Sequence, residues 1–437
     1  MTDALILPIA LVMDDVILAL GVVLVVLVAY EVGIVSLAAM RRLAQQNEQA
    51  QLVRELLRLK IEEAKKRQEQ RTLAWNGYRK FVIDRKVEEA RDICSFYLVP
   101  HDQKSLPRYK PGQYLTFRLN IPGRDKPIVR CYSISDRPRS SDYRVTIKRV
   151  RPPRDQPNAP PGLVSSYFHE QLSEGDILDV QAPRGQFFLE LEKERPAVLI
   201  AGGVGVTPLL SMARTIAEMD SSREIMFFYG VRNGTEHAFK NELEQLTKNH
   251  DNVRLVVAYS QPTDDDMAVE GQTYQHVGRV DIELIKSYLQ STNYEFYICG
   301  PAPMMETLNQ NLTKWGVAKQ DIKMEAFGAA TVSKARGKPA KSPSTSGGTE
   351  SAATCQVTFA RTGKKCGWNE KSGNLLDFAA ANGIEIESGC RAGNCGTCVI
   401  AIKSGKVAYI TEHGAELEVG TCLTCIAAPD GDLVIDA

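Results

Sequence analysis

The 437 residues are more than one hydrophobic core organises, and the length points to about three domains. Hydrophobic residues make up 43% and charged residues 24%, which excludes disorder or low complexity for most of the chain. Lys plus Arg and Asp plus Glu balance at 53 each, so bulk charge speaks against a nucleic-acid binder, which needs a basic surplus to neutralise phosphates. Cysteine is unevenly placed: Cys94, Cys131 and Cys299 are scattered through the first 330 residues, and seven crowd into the last 83. That clustering points to a metal site in a reducing compartment rather than a disulfide framework.

The N-terminus is the apolar part. From Val16 to Met40 the one charged side chain is Glu31. As a helix this run reaches about 37 Å, enough to cross a hydrocarbon core of about 30 Å with some tilt. Asp3, Asp14 and Asp15 precede it and Arg41-Arg42 follow. By the positive-inside rule the rest of the chain faces the cytoplasm, making residues 1–40 a single-pass inner-membrane anchor that spans at 16–40. The competing reading is a cleaved signal peptide ending near Ser36-Leu37-Ala38, but the acidic leader lacks the required positive n-region. Ala4–Met13 is apolar yet too short to span and contains Pro8, so it is expected at the membrane surface.

Residues 41–74 are expected to form a helical stalk, with Leu52, Leu56 and Leu59 on one face. That seam is barely two turns long, which favours a solvated spacer over a coiled coil. Lys65, Lys66 and Arg67 suit anionic headgroups. From Trp75 to residue 190 the runs FVIDRKV, CSFYLVP, YLTFRLN, CYSIS and YRVTIKRV alternate between Pro/Gly turns, the pattern of an antiparallel β-barrel. Over 191–330 strand-like AVLIAGG, EIMFFYGV, VRLVVAYS and EFYICG alternate with helices from Pro208 and around Glu242, giving a parallel α/β unit. Residues 331–353 are a Lys/Ser/Gly/Pro linker with a root-mean-square span of about 25 Å. A strand-rich segment, 354–437, closes the chain.

Cys390, Cys395 and Cys398 stand in a C-x4-C-x2-C loop with small residues between them, and Cys425 waits in Thr424-Cys425. Four thiolates are what a [2Fe–2S] cluster needs, and a glycine-rich loop lets backbone N–H groups turn towards its sulfides. Cys395-x2-Cys398 with Cys422-x2-Cys425 also has the spacing of a zinc ribbon. The offset of Cys390 and the shared loop argue against zinc. Residues 354–437 resemble plant-type ferredoxins along their whole length. The resemblance implies a β-grasp fold and names Cys425, not Cys422, as the fourth ligand. Cys355, Cys366 and Cys422 are then ordinary buried or strand cysteines.

Two further constellations lie upstream. Arg130-Cys131-Tyr132-Ser133 is followed by Thr146–Arg149 and by Gly162-Leu163-Val164-Ser165. Then Gly202-Gly203-Val204-Gly205-Val206-Thr207-Pro208 joins an apolar strand to a helix, where glycines and a helix N-terminus let a pyrophosphate approach. Cys299-Gly300-Pro301-Ala302-Pro303-Met304 ends a later strand, and Met324-Glu325-Ala326-Phe327-Gly328 follows. In this order the motifs resemble the ferredoxin–NADP reductase family. The resemblance implies that Tyr132 packs on the isoalloxazine of a flavin, that Ser133 lies near its reactive nitrogen, and that Arg130 and Ser165 hold its pyrophosphate. Tyr114 and Lys148 are further contacts. Gly202, Gly203, Gly205, Thr207 and Pro208 form the turn for the nucleotide, and Cys299, Gly300, Pro301 and Met304 the nicotinamide side. Phe327 would cover the flavin and move aside for nicotinamide, and Ser133, Cys299 and Glu325 would frame hydride transfer. A flavin needs such an aromatic platform, a hydroxyl and a guanidinium.

No ligand-like spacing joins the six histidines (101, 169, 237, 250, 276 and 413). No Ser/His/Asp or paired-carboxylate constellation supports hydrolysis. The modules together resemble the reductase components of oxygenases and the NADH oxidoreductase serving the hybrid-cluster protein. The resemblance implies an NAD(P)H-dependent oxidoreductase passing electrons through flavin to the [2Fe–2S] cluster and on to a protein acceptor. A membrane-bound oxygenase or desaturase, or a quinone-linked complex, would suit the anchor. FAD is expected because Arg130 to Phe327 look closest to the reductase half of flavohaemoglobins, with FMN, the flavin of phthalate dioxygenase reductase, as the alternative. Arg232 would suit the 2′-phosphate of NADPH and Glu236 the ribose diol of NADH, with NADH the slightly favoured donor. The rival from another class is a membrane-tethered redox-sensing module without NAD(P)H turnover, which the intact nicotinamide motifs oppose.

Overall fold

The structure is a computed structural model that describes residues 6–152, 156–219, 221–325, 327, 355–389, 391, 393, 396–410, 415 and 417–437. The linker expected at 331–353, Cys390, Cys395, His413 and residues Ala4, Ala326 and Gly328 of the motifs above lie outside these residues. The chain divides into two compact units, Met1–Thr72 and Leu73–Ala437.

The first unit is a single helix, α1 (Ile6–Leu73), of 68 residues. Its length is about 100 Å. No proline follows Pro8 in α1, and Gly21 and Gly33 are accommodated within it, so the apolar run and the polar stalk are one uninterrupted helix. From Ile6 on, the segment expected at the membrane surface is helical and continuous with the rest of α1. Pro8 is tolerated there because N–H groups of a first turn have no helical partner. Among the described residues α1 is the one helix long and apolar enough to cross a membrane, by length and composition, within the stretch Leu20–Glu62. Large side chains along it, such as Leu24, Val25 and Val35, stand exposed.

The second unit opens with a six-stranded antiparallel sheet. Its strands are β1 (Arg79–Ala90), β2 (Ile93–Pro100), β3 (Tyr114–Leu119), β4 (Ile128–Ser133), β5 (Tyr143–Lys148) and β6 (Ile177–Arg184), in the order β4-β3-β6-β1-β2-β5. A bridge between Ile134 and Val145 joins the two outer strands and closes the barrel. Alternate residues point inward, packing Phe81, Phe96, Phe117 and Val145 around Phe168. The expected strands omit β6, in which Asp179 takes the outward face between the buried Leu178 and Val180. Asp179 stays in a strand because Lys80 and Arg118, opposite it on β1 and β3, bind it at 3.1 and 2.9 Å. A short helix, α2 (Leu163–Ser166), follows β5.

Next comes an all-parallel sheet flanked by helices. In chain order its elements are β7 (Ala197–Gly202), α3 (Val206–Glu218), β8 (Ile225–Val231), α4 (Lys240–Asn249), β9 (Val253–Tyr259), α5 (Asp264–Met267), β10 (His276–Val277), α6 (Ile282–Tyr288), β11 (Glu295–Cys299), α7 (Ala302–Trp315) and β12 (Ile322–Glu325). The strand order is β10-β9-β8-β7-β11-β12. Leu199, Phe227 and Tyr229 pack towards α3 and α4, while Val198, Ile200 and Phe228 pack towards α6 and α7. Strand order reverses at β7, whose neighbours are β8 and β11. The crevice at the carboxyl ends of β7 and β11 is where open α/β sheets bind ligands.

The C-terminal domain has a mixed sheet in the order β14-β13-β19-β15-β17. It comprises β13 (Cys355–Phe359), β14 (Lys364–Trp368), β15 (Val399–Ser404), β17 (Thr421–Leu423) and β19 (Leu433–Ile435), with a small β16 (Val407–Tyr409)–β18 (Ala427–Pro429) pair. Helix α8 (Leu375–Ala381) lays Leu375, Phe378 and Ala379 against Val357, Phe359 and Leu433.

Candidate functional site

A cavity of about 990 Å³ opens between the barrel and the parallel sheet. The barrel contributes Tyr114, Arg130, Tyr132, Ser133 and Lys148 to its lining; the α/β side contributes Thr207, Arg232, Glu325 and Phe327. These nine residues come from six separate stretches of the sequence, brought together because β3, β4, β5 and the carboxyl edge of the parallel sheet meet there. Tyr132 is held edge-on by Phe117 and Phe168, at 5.8 and 5.4 Å between ring centroids. Burial pushes its phenol well above the ordinary value.

Glu325 lines the cavity, and behind it Cys299 is its direct partner on the adjacent strand, β11 beside β12. The Ser133 hydroxyl donates to Glu325 Oε2 at 3.2 Å, so β4 and β12 touch through this bond. Burial raises the Glu325 carboxyl from 4.5 to about 8, against the lowering effect of the Ser133 bond. Glu325 is therefore neutral at pH 7. Burial, then the proximity of Glu325, raises the Cys299 thiol well above its ordinary value, and it stays protonated.

Gly162, Ser165, Gly202, Gly203, Gly205, Pro208, Cys299, Gly300, Pro301 and Met304 are not among the residues lining the cavity. Most of them form the corner behind it, where the β7–α3 turn meets the β11–α7 turn. A Cβ on Gly205 would stand 2.2 Å from the Cys299 carbonyl oxygen, and one on Gly202 would stand 2.6 Å from Met304 Sδ. Close packing of the two turns requires those glycines. Gly203 differs: its φ is +55° and a Cβ there would meet nothing within 4 Å. Ser165 accepts from the Val150 amide at 3.0 Å and donates to the Gly162 carbonyl at 2.9 Å, so it braces the loop beside the cavity.

Sequence reasoning missed Arg91, Asp92 and Arg151, which also line the cavity. Asp92 has a φ of 61°, costly for a non-glycine residue, and receives Arg149 at 2.7 Å and Arg151 at 2.6 Å. Burial alone would raise the Asp92 carboxyl, but the Arg151 and Arg149 guanidiniums hold it below the usual range. Lys148 binds Glu236 across the seam at 2.7 Å. The aromatic wall, the hydroxyl–carboxyl pair and the cations Arg91, Arg130, Lys148, Arg149, Arg151 and Arg232 together fit a flavin with its anionic diphosphate and a second nucleotide.

In the C-terminal domain Cys398 and Cys425 are buried together with Leu376, Leu423 and Ile426. The Thr424 amide and hydroxyl both donate to the Cys398 carbonyl, at 3.2 and 3.1 Å. Among the described residues before Cys398, Arg391, Gly393 and Gly396 have left-handed φ values of 54°, 77° and 73°. Two thiols buried side by side, next to the left-handed Gly393 and Gly396, fit an iron–sulfur cluster, which needs thiolate ligands.

Comparison with known proteins accords with this geometry. Residues 80–189 match the oxidoreductase FAD-binding domain, 199–310 the oxidoreductase NAD-binding domain and 360–430 the 2Fe-2S iron-sulfur cluster binding domain. The FAD/NAD-binding domain of the nitric oxide dioxygenase of Vibrio cholerae O1 is 33% identical, with a TM-score of 0.51, and is covered over 100% of its length by 58% of this chain. The chain belongs to the ferredoxin reductase-type NAD(P)H oxidoreductases. Its cofactors are FAD and a [2Fe–2S] cluster, with NADH or NADPH as donor. The flavohemoprotein of Halalkalibacterium halodurans is 41% identical over 256 residues, 59% of this chain and 61% of that protein. The chain thus spans about three fifths of the length of the curated relatives it matches. Phthalate dioxygenase reductase shares the fold over 83% of this chain and 98% of its own, with a TM-score of 0.51 and 24% identity.

Proposed function

We propose that this chain carries electrons from NAD(P)H, through FAD and its own [2Fe–2S] domain, to a membrane-bound oxygen-activating acceptor. The observation that carries the reading is the seam cavity, where flavin-type residues of the barrel face nucleotide-type residues of the parallel sheet. When bound, FAD accepts a hydride from the nicotinamide and releases electrons singly to an iron–sulfur centre. Tyr132 supplies the platform, and Arg130 with Lys148, Arg149 and Arg151 meets the diphosphate. Ser133 and the neutral Glu325 supply hydrogen bonds at the reacting edge, and a neutral carboxyl there adds no charge to repel incoming hydride. Phe327, which lines the cavity, would cover a bound flavin. The α3 N-terminus, with Thr207 and Gly203, receives the nucleotide phosphates. Glu236 beside Arg232 favours NADH.

Cys390, Cys395, Cys398 and Cys425 hold the cluster. The functional segments are 75–190, 191–330 and 354–437, with 331–353 the tether that lets the last reach an acceptor. The apolar helix, with acids before it and Arg41-Arg42 after it, anchors the chain with these segments in the cytoplasm. A dioxygenase reductase of the same fold motivates the oxygenase class of acceptor.

The test compares the full chain with one lacking residues 1–40, in membranes that hold a di-iron oxygenase. Both should reduce ferricyanide with NADH equally well. The full chain alone should resist carbonate extraction and support NADH-driven substrate oxidation. Equal oxidation by the shortened chain would contradict a role of the anchor in acceptor choice.

A further inference from the structure

Strand β5 presents alternate residues to one face, so Arg144, Thr146 and Lys148 point the same way. Lys148 lines the cavity and holds Glu236. Arg144, about 13 Å back along the strand, is buried, with its side chain 2% exposed. Its guanidinium forks onto Glu242 of α4, Nη1 to Oε2 at 2.8 Å and Nη2 to Oε1 at 3.1 Å. Its Nε donates to Ser135 Oγ at 3.2 Å, and the Phe239 ring stacks 4.9 Å from its Cζ.

Glu236 and Glu242 belong to one segment, the turn Gly234–Glu236 followed by α4. Phe239 caps α4 with a φ of +60°, a conformation that packing against Arg144 helps to hold. Arg214 of α3 also donates to Glu242 and reaches Asp136 of the barrel at 2.8 Å. Strand β5 therefore grips this segment twice, once at the cavity and once deep in the seam. Between the grips lies the turn whose Thr235 and Glu236 line the nucleotide side of the cavity. A buried ion pair adds little net stability, because desolvation offsets the attraction. A planar fork onto a carboxylate does fix distance and angle.

We infer that Arg144 is a positioning residue for hydride transfer: by clamping Glu242 it sets where the nicotinamide meets the flavin. The inference rests on the cavity being the flavin–nicotinamide site. Arg144→Lys keeps the charge but loses the fork; Glu242→Gln keeps the shape but loses the charge. Arg137→Gln removes a different seam pair, that of Arg137 with Glu218, and serves as the control.

Each full-length, FAD- and iron-loaded protein is mixed anaerobically with NADH over a range of concentrations up to saturation. The readouts are the rate of flavin bleaching, the long-wavelength charge-transfer absorbance of nicotinamide stacked on flavin, and the FAD content. Arg144→Lys and Glu242→Gln should bleach at least about tenfold more slowly, as expected for a small misplacement of the reacting atoms. Their charge-transfer band should weaken while FAD content and the NADH half-saturation stay unchanged, and Arg137→Gln should match the parent. Wild-type rates and bands in both clamp variants would overturn the inference. So would loss of FAD from both, because the pair would then hold the fold and not the geometry. A parent chain that NADH and NADPH both fail to bleach would sink the cavity reading and the clamp with it, a result seen before any substitution is made.

Discussion

Glu325 sets the pH behaviour of the site. Its carboxyl binds a proton more tightly in the folded protein, at about 8, than in the unfolded chain, at 4.5. The stability linked to it is therefore fully present below pH 4.5 and is lost as pH rises through about 8. The rate of flavin reduction should fall along the same alkaline limb as the carboxyl ionises. Glu325→Gln should abolish that limb, both in the rate profile and in melting temperature measured across it. Because the Ser133 hydroxyl lowers the Glu325 value, Ser133→Ala should move the limb to higher pH. A limb that stays in place in Glu325→Gln would assign it to another group. At this scale the sequence exposed the residues that sit in motifs, such as Tyr132, Ser133 and Glu325. Asp92 and Arg151 were hidden, because their pairing depends on a left-handed backbone at Asp92 that no local pattern announces.

The glycines of the β7–α3 turn show how elements constrain one another. Their spacing alone reads as room for a phosphate, yet Gly205 is needed because β11 passes against it. Gly205→Ala should cost about 3 kcal/mol, the upper end for overpacking, since the obstructing atoms are backbone. Gly203→Ala meets open space and pays for its left-handed backbone alone, about 1 kcal/mol. Denaturant midpoints of the two variants check the order; equal losses would mean that the turns separate freely. Strand β6 was passed over because just Leu178 and Val180 carry its buried face, and Asp179 is held by Lys80 and Arg118 of neighbouring strands, which a local pattern cannot register. Helix α1 was legible as an apolar run plus a polar stalk, but its continuity from Ile6 was not, since Pro8 reads as a breaker until its first-turn position is known.

For the whole molecule, the order of modules was written in motifs: barrel, parallel sheet, then cluster domain. The seam between the first two was not. Arg144 and Glu242 stand 98 positions apart, and a lone arginine in a strand carries no sign that it will be buried against a distant carboxylate. The C-terminal domain should depend on its buried thiols. Cys398→Ser or Cys425→Ser should lose the visible iron–sulfur absorption and the bound iron while flavin bleaching by NADH persists; Cys422→Ser should keep both. Retained iron in Cys425→Ser together with its loss in Cys422→Ser would reassign the fourth ligand.

The central claim is a single electron path through three modules, and anaerobic stopped-flow absorbance of the intact chain tests it most directly. On mixing with NADH, and separately with NADPH, the flavin bands should bleach first and the iron–sulfur absorption should fall afterwards, faster with NADH. Flavin that bleaches while the iron–sulfur absorption stays oxidised would break the path at its second step. Flavin that neither coenzyme reduces would contradict the account at its first.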